Sequence, residues 1–486
     1  MNRKKILLFI ICITILTRVY HITFPLIGWQ SWRQTDTASI AKNFFQNGYN
    51  IFYPQIEWRG NTAGYVESEF HIYPFIVSLL YGIFGMDEMW GRIVSLIFSV
   101  LTVYGLYLLV RKIISENTAL WSAFIYAILP LNIYFTRAFM PESMMLMCSV
   151  YGIYFYNEWI ENDRWKNFTL SLLFIALAVL IKLPALYLGL PLLYLTINKF
   201  GKSFLTNPKI WLYSILVFVP AILWYYHSHQ LYDQTGLTFG IWNAGKDKWG
   251  MIEPLLTIKF YNDIFFKSIA ERHLTYAGFI VFIWGLFLKR QHPKEKLFDW
   301  WLISVVVFIF IAPQANTAQE YYQLPLNVPA AVFIGKIFSE YFSFGSLKAS
   351  FVKNKFASVF LSLCLTGIIV LSFLRMGNFM KSENYNAPVF KFIEDIHSNI
   401  PKEDLVVTVT EGNPTILYLS ERRGWASNPD DISDKFINDM REKGGKYIIS
   451  EKNMFHTEKQ NEVLQNLLKN YEVVENTDDY IIIKIN

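Results

Sequence analysis

Asp36 closes the run "SWRQTD", just after the first hydrophobic stretch of the chain. Thr35 or Asp36 suits a helix N-cap, where a short oxygen-bearing side chain satisfies free N–H groups. A carboxylate partly withdrawn from water beside a membrane also gains proton affinity and can act as a general base. The two readings are compatible, because a base fixed at a helix start is well positioned. In "VESEF", Glu67 and Glu69 are two residues apart. Alternate residues of an extended segment point the same way, so both acids are expected on one site. There they orient hydroxyls or take a divalent cation, which the pair permits without requiring; a solvated loop is the plainer alternative.

Other charges sit where apolar runs end. "TRAFMPES" places Arg137 and Glu142 at the ends of adjacent helices. Pro141 fits the first turn of the second helix, and Glu142 suits its positive end; a structural ion pair is the alternative. Lys182, in "VLIKLPA", either snorkels toward water or offers the cation that a lipid phosphate requires. Arg18, in the first apolar run, has the same status. "AQEYYQLP" supplies Glu320, Tyr321 and Tyr322. These belong to an aromatic belt, or they bind a sugar through ring faces and an acid.

The elements that carry these residues read as membrane-spanning. Of 486 residues, 53% are hydrophobic and only 17% are charged, against roughly 25% charged in an average soluble domain. The net charge of +5 is small and falls in short loops, which argues against nucleic-acid binding. Cys12, Cys148 and Cys364 lie far apart inside apolar runs, so neither a disulfide framework nor a cysteine metal site is expected. Dinucleotide, P-loop and His-rich metal signatures are missing. The start, "MNRKKILLFIICITIL", has a basic end and an apolar core without a small-residue cleavage site, and reads as an uncleaved first span with a cytoplasmic N-terminus.

Apolar segments recur near 6–26, 92–110, 118–135, 140–158, 168–182, 184–198, 210–226, 274–289, 298–313, 323–338 and 356–375, giving about eleven crossings. Pro184 and Pro191 divide 168–198 into two helices. The basic loops then fall on one side: Arg111 and Lys112; Lys199, Lys202 and Lys209; Lys289, Arg290, Lys294 and Lys296; Lys348, Lys353 and Lys355. That side is the cytoplasm. The loop at 28–90, the turn around 136–143, residues 227–273 and "QANTAQEYYQLP" then gather acids and bases on the outer face. The apolar run at 72–85 is too short to span and reads as interfacial or re-entrant. From about Lys381, "DLVVTVT", "KYIIS" and "YIIIKI" read as strands and 387–399, 431–443 and 457–470 as helices. The expected organisation is a polytopic α-helical domain, 1–380, with a catalytic loop at 28–90, and a small α/β domain, 381–486, outside the membrane.

The run "WRQTD…AKNFFQNGYNIFYPQIEWRGNTAGYVESEFHIYPFIVSLLYGIFG" resembles the first outer loop of bacterial membrane glycosyltransferases of the C-type fold. These are the dolichyl-phosphate-mannose protein mannosyltransferases and the related lipid A aminoarabinose transferases. "TRAFMPESMML", "LIKLPALYLGLPLL" and "EYYQLPLNVPA" follow in the family's order, so the likeness covers most of residues 1–340. The resemblance implies an enzyme of the bacterial inner membrane and cell envelope. It would move a sugar, with inversion, from a polyprenyl-phosphate donor to a protein, lipid or glycan acceptor. It implies that Asp36 is the catalytic residue and Glu69 the acid opening the loop's second element. Lys182 would hold the lipid phosphate, and Arg137, Glu142, Glu320, Tyr321 and Tyr322 would line the cavity. The sequence departs from the family at Thr37–Ser39, where a second acid is expected, and at "EFH", which leaves His71 or Arg33 as phosphate contacts. The competing reading is a transporter or flippase of lipid-linked saccharide. That class favours two related halves with broken helices, and no such repeat is present.

Overall fold

The computed structural model describes residues 3–240, 251–344, 355–381 and 387–486; Lys348 and Lys353, in the last basic loop, lie outside these. The chain forms two compact units. One comprises Met1–Ile22, Gly91–His227 and Gly240–Phe379; the other comprises Thr23–Trp90, Ser228–Phe239 and Met380–Asn486.

The first unit is helical. Each apolar segment read from the sequence falls on a helix, but the boundaries follow backbone chemistry rather than hydropathy. The 118–135 segment is two helices, Glu116–Ile128 and Pro130–Phe135. Pro130 has no N–H to donate and pushes Leu129 out of the helical region, to an extended ψ of 134°. Ser115 starts the first of the pair by accepting a hydrogen bond from the Thr118 N–H. Trp165–Ile181 and Gly189–Phe200 are separate helices, joined by a 3-10 turn at Leu183–Leu188. The packing uses small residues where helices cross. A Cβ on Gly335 would meet the Ser122 hydroxyl oxygen at 2.5 Å, and one on Gly152 would meet the Ile175 side chain at 2.4 Å.

Among the described residues, three helices are long and apolar enough to cross a membrane: Met89–Ile113, Pro208–Thr235 and Lys355–Met380. Ile72–Phe84 is a helix of 13 residues, about 20 Å long at the usual rise, against a hydrocarbon core of roughly 30 Å. Its Tyr73, Val77 and Tyr81 side is buried, whereas Leu79, Ile83 and Phe84 are exposed.

In the second unit, five strands form a sheet in the order β2-β1-β3-β5-β4: β1 Leu405–Val409, β2 Gly424–Ser427, β3 Gly445–Glu451, β4 Glu472–Asn476 and β5 Tyr480–Lys484. β2, β1 and β3 run parallel, while β5 and β4 continue antiparallel. Alternate residues face opposite cores. Val407, Val409, Ile448, Ile481 and Ile483 pack with Ile437, Met440, Leu464 and Leu467. Val406, Ile449, Tyr480 and Ile482 pack with Phe392, Ile396 and Leu417. The expected helices are Pro388–Asn399, Asp434–Glu442 and Glu458–Asn470.

Candidate active site

The Asp36 helix runs Ser31–Asn47 and starts earlier than its local signals suggest. Gln30, left-handed at φ 60°, precedes it without any side-chain cap. Asp36 is therefore not an N-cap, and the Thr35 hydroxyl instead donates to the Ser31 carbonyl oxygen at 2.9 Å. The expected capping role is corrected by a start five residues upstream, made with a backbone turn from Gln30. Asp36 lies one full turn into the helix and is 3% exposed. Its Oδ1 accepts a hydrogen bond from the Trp58 indole N–H at 2.8 Å. Burial pushes its carboxyl up to about 7, against the opposing pulls of that hydrogen bond and of the Arg33 charge. A carboxylate poised there takes a proton near neutral pH.

One turn before Asp36, the buried Arg33 forms an ion pair with Glu69 and stacks over the Phe239 ring, 5.0 Å from its centroid. Glu67 turns to other partners. Its Oε1 meets His229 Nδ1 at 2.9 Å, and its Oε2 accepts from the Thr238 hydroxyl. The Glu67 N–H donates to the Leu237 carbonyl, and the Phe239 N–H donates to that of Glu67. The two acids thus take different partners. The backbone there makes an isolated bridge rather than a regular strand. Among the described residues no group of three or more His, Cys, Asp or Glu could hold a metal ion. His71 precedes the helix Ile72–Phe84, and its Nε2 lies 2.5 Å from the Ser68 hydroxyl. Lys42 and Glu57, both buried, pair at 3.3 Å.

Because Glu67 straps residues 228–239 to the first long loop, Glu67→Ala is expected to speed amide exchange in that segment by at least tenfold. Hydrogen-exchange mass spectrometry of the full chain checks this, and wild-type protection at 237–239 would contradict it.

In the helical unit, Lys182 caps the C-terminus of Trp165–Ile181 and is 6% exposed. Its Nζ is 3.0 Å from Glu142 Oε1. It also lies over the rings of Tyr321 and Tyr322, at 5.4 and 5.7 Å. Four expected residues from three distant segments thereby form one cluster, with Glu142 opening the helix Glu142–Asn162. Glu320 points elsewhere and pairs with Arg272. Arg137 Nη2 donates to the His21 carbonyl at 3.0 Å, and Arg92 Nη1 donates to the same oxygen at 2.9 Å. Arg18, fully buried, donates to the Thr136 hydroxyl and the Ala127 carbonyl. Sequence reasoning passed over Trp58, Arg92, His229, Thr238 and Arg272. A tryptophan between Glu57 and Arg59, two residues before a glycine, is the one local signal among them.

Residues 71–226 match the model of a family described as dolichyl-phosphate-mannose-protein mannosyltransferase. ArnT from Cupriavidus metallidurans, in its structure bound to undecaprenyl phosphate, matches with a TM-score of 0.69 at 12% identity, over 99% of this chain and 98% of that one. The fold is that of the C-type membrane glycosyltransferases. The Archaeoglobus fulgidus oligosaccharyltransferase in its apo form shares this glycosyltransferase fold, with a TM-score of 0.64 at 13% identity over 93% of this chain and 70% of that one. An uncharacterized protein of Aquifex aeolicus (strain VF5) is 26% identical over 325 residues. That match spans 66% of this chain and 60% of the relative, less than two thirds of its length. The segment that matches the family model holds His71, Arg137, Glu142 and Lys182. Asp36, Arg33, Glu67, Glu69 and Glu320–Tyr322 lie outside it.

Proposed function

We propose that this chain is an inverting glycosyltransferase that moves a sugar from a polyprenyl-phosphate donor to a protein, lipid or cell-surface glycan. The observation that carries the reading is Asp36, a buried carboxyl held by Trp58 and raised to about 7. In the reaction, an acceptor oxygen forms a bond to the anomeric carbon while the bond from that carbon to the phosphate oxygen breaks. The acceptor proton passes to Asp36, and the bonding electrons leave with polyprenyl phosphate. Inversion needs a single displacement, so no second nucleophilic carboxylate is required. The phosphate requires cations, and the family resemblance assigns that role to Lys182 with Tyr321 and Tyr322, with Arg33 as the alternative. ArnT was solved with undecaprenyl phosphate, and the Archaeoglobus oligosaccharyltransferase AglB with an inhibitory peptide and a dolichol-phosphate. Those ligands support a lipid-linked donor for this chain as well.

The remaining organisation is proposed with it. Eleven crossings of the bacterial inner membrane carry the transferase in residues 1–380. The loop 28–90 and residues 381–486 lie outside the membrane, and the N-terminus lies in the cytoplasm. Mass spectrometry of surface glycans from a deletion strain tests the function. One sugar residue is expected to disappear and to return with the wild-type gene but not with Asp36→Asn; an unchanged glycan profile would defeat the proposal.

A further inference from the structure

β2 is an edge strand of the sheet, and its free edge is covered by the first long loop. The Gly60 N–H donates to the Gly424 carbonyl at 2.7 Å, and the Gly424 N–H donates to the Glu57 carbonyl at 3.2 Å. These two rungs bracket Trp58. Trp58 packs against the core cluster that includes Phe392, Ile396 and Leu417 and against the cluster that includes Ile40 and Phe44 of the Asp36 helix. The fit beside it is tight. Gly60 has φ +54°, and a Cβ there would meet the Trp425 ring of β2 at 2.5 Å. The short helix Thr415–Leu419 touches the Asp36 helix at two more points. Thr415 and Thr35 hydroxyls are 3.5 Å apart, and Lys42 lies over the Tyr418 ring at 6.0 Å. An exposed strand edge normally invites pairing with another chain; here the pairing fixes the loop that holds the indole.

We propose that the C-terminal sheet acts as a clamp, in which the pairing of β2 with Glu57–Gly60 seats the Trp58 indole on Asp36 and makes Trp58 a positioning residue. The proposal rests on reading Asp36 as the base. The charged groups around it are Arg33 on its own helix with Glu69 as that residue's partner, and the Lys42–Glu57 pair nearer the helix end.

The test is 19F NMR of the full chain in detergent, labelled with 5-fluorotryptophan. Of the 15 tryptophans, Trp58 is the resonance missing from Trp58→Phe. In the wild type it is expected to shift with pH around neutrality, and that step is expected to vanish in Asp36→Asn. Gly60→Ala, which drives against Trp425, is expected to displace the resonance. It should also raise the midpoint by about one pH unit, because a hydrogen bond to the charged carboxylate is weakened. Trp425→Ala, which removes the ring over Gly60, is expected to act in the same direction and covers the case in which Gly60→Ala does not fold. Lys446→Ala, on the exposed Lys446–Asp404 pair, is expected to leave resonance and midpoint unchanged. A Trp58 signal indifferent to pH and to Asp36→Asn, or wild-type midpoints in both clamp variants, would overturn the proposal. No sugar transfer is needed for this readout, so a failure of the enzymatic reading leaves it decisive.

Discussion

Asp36→Asn is expected to leave a folded, membrane-inserted protein whose transfer rate falls about 10²–10⁴-fold, the usual contribution of a positioned general base. The amide oxygen keeps the Trp58 hydrogen bond, so the geometry survives while the proton acceptor is lost. The same residue sets the pH dependence. With its carboxyl at about 7, wild-type activity should rise with pH through neutrality, and any residual activity of Asp36→Asn should lack that limb. Stability should move the opposite way. A carboxyl whose folded value lies above its unfolded value of 3.8 binds its proton more tightly when folded. Its contribution is therefore full below about pH 4 and is lost as pH rises to about 7. Asp36→Asn removes that loss, so the variant should melt at or above the wild-type temperature at pH 8. A melting-point fall at pH 8 would contradict the raised carboxyl, and transfer retained at the wild-type rate would take Asp36 out of the mechanism.

The second large effect is at Lys182. Lys182→Met strands Glu142, which is 1% exposed, and breaking a buried pair from one side costs roughly 3–5 kcal/mol. Its melting temperature should fall accordingly. The double variant Lys182→Met with Glu142→Gln removes both charges and should regain most of that stability, since a buried pair replaced whole is often neutral. Activity should not follow. If the ammonium serves the donor phosphate, transfer by the double variant stays at least about 10²-fold down, as when one preorganised donor to a developing charge is removed. Recovery of both stability and transfer would make the Lys182–Glu142 pair purely structural.

The helices of the first unit were largely legible, because a long apolar helix announces itself by length and composition; three of them are long and apolar enough to cross a membrane among the described residues. What composition leaves out is the break at Leu129–Pro130, where one proline without an N–H divides a continuous apolar run. β1, β3 and β5 are short, almost continuously buried runs rich in Val and Ile and were readable. β2, "GWAS", is short and begins with glycine, and β4, "EVVEN", carries charge on a largely exposed edge; neither shows the pattern. Lys182, Glu142, Tyr321 and Tyr322 come together in the structure, whereas Glu320 and Arg137 turn to other partners. Asp36 was misread as a cap, because its own preference for helix starts is real while the turn at Gln30 is invisible to it. Glu67 and Glu69 take different partners: Glu69 pairs with Arg33, and Glu67 reaches His229 and Thr238, more than 160 residues away. No local spacing encodes that.

A transferase cuts the sugar from its lipid, whereas a flippase carries it across the bilayer intact. The purified chain, reconstituted in liposomes with a radiolabelled sugar on undecaprenyl phosphate and a cell-envelope acceptor fraction, measures both. The predicted result is label transferred to acceptor with release of undecaprenyl phosphate, present in the wild type and absent in Asp36→Asn. Labelled lipid that crosses the bilayer uncleaved, equally in both proteins, would contradict it.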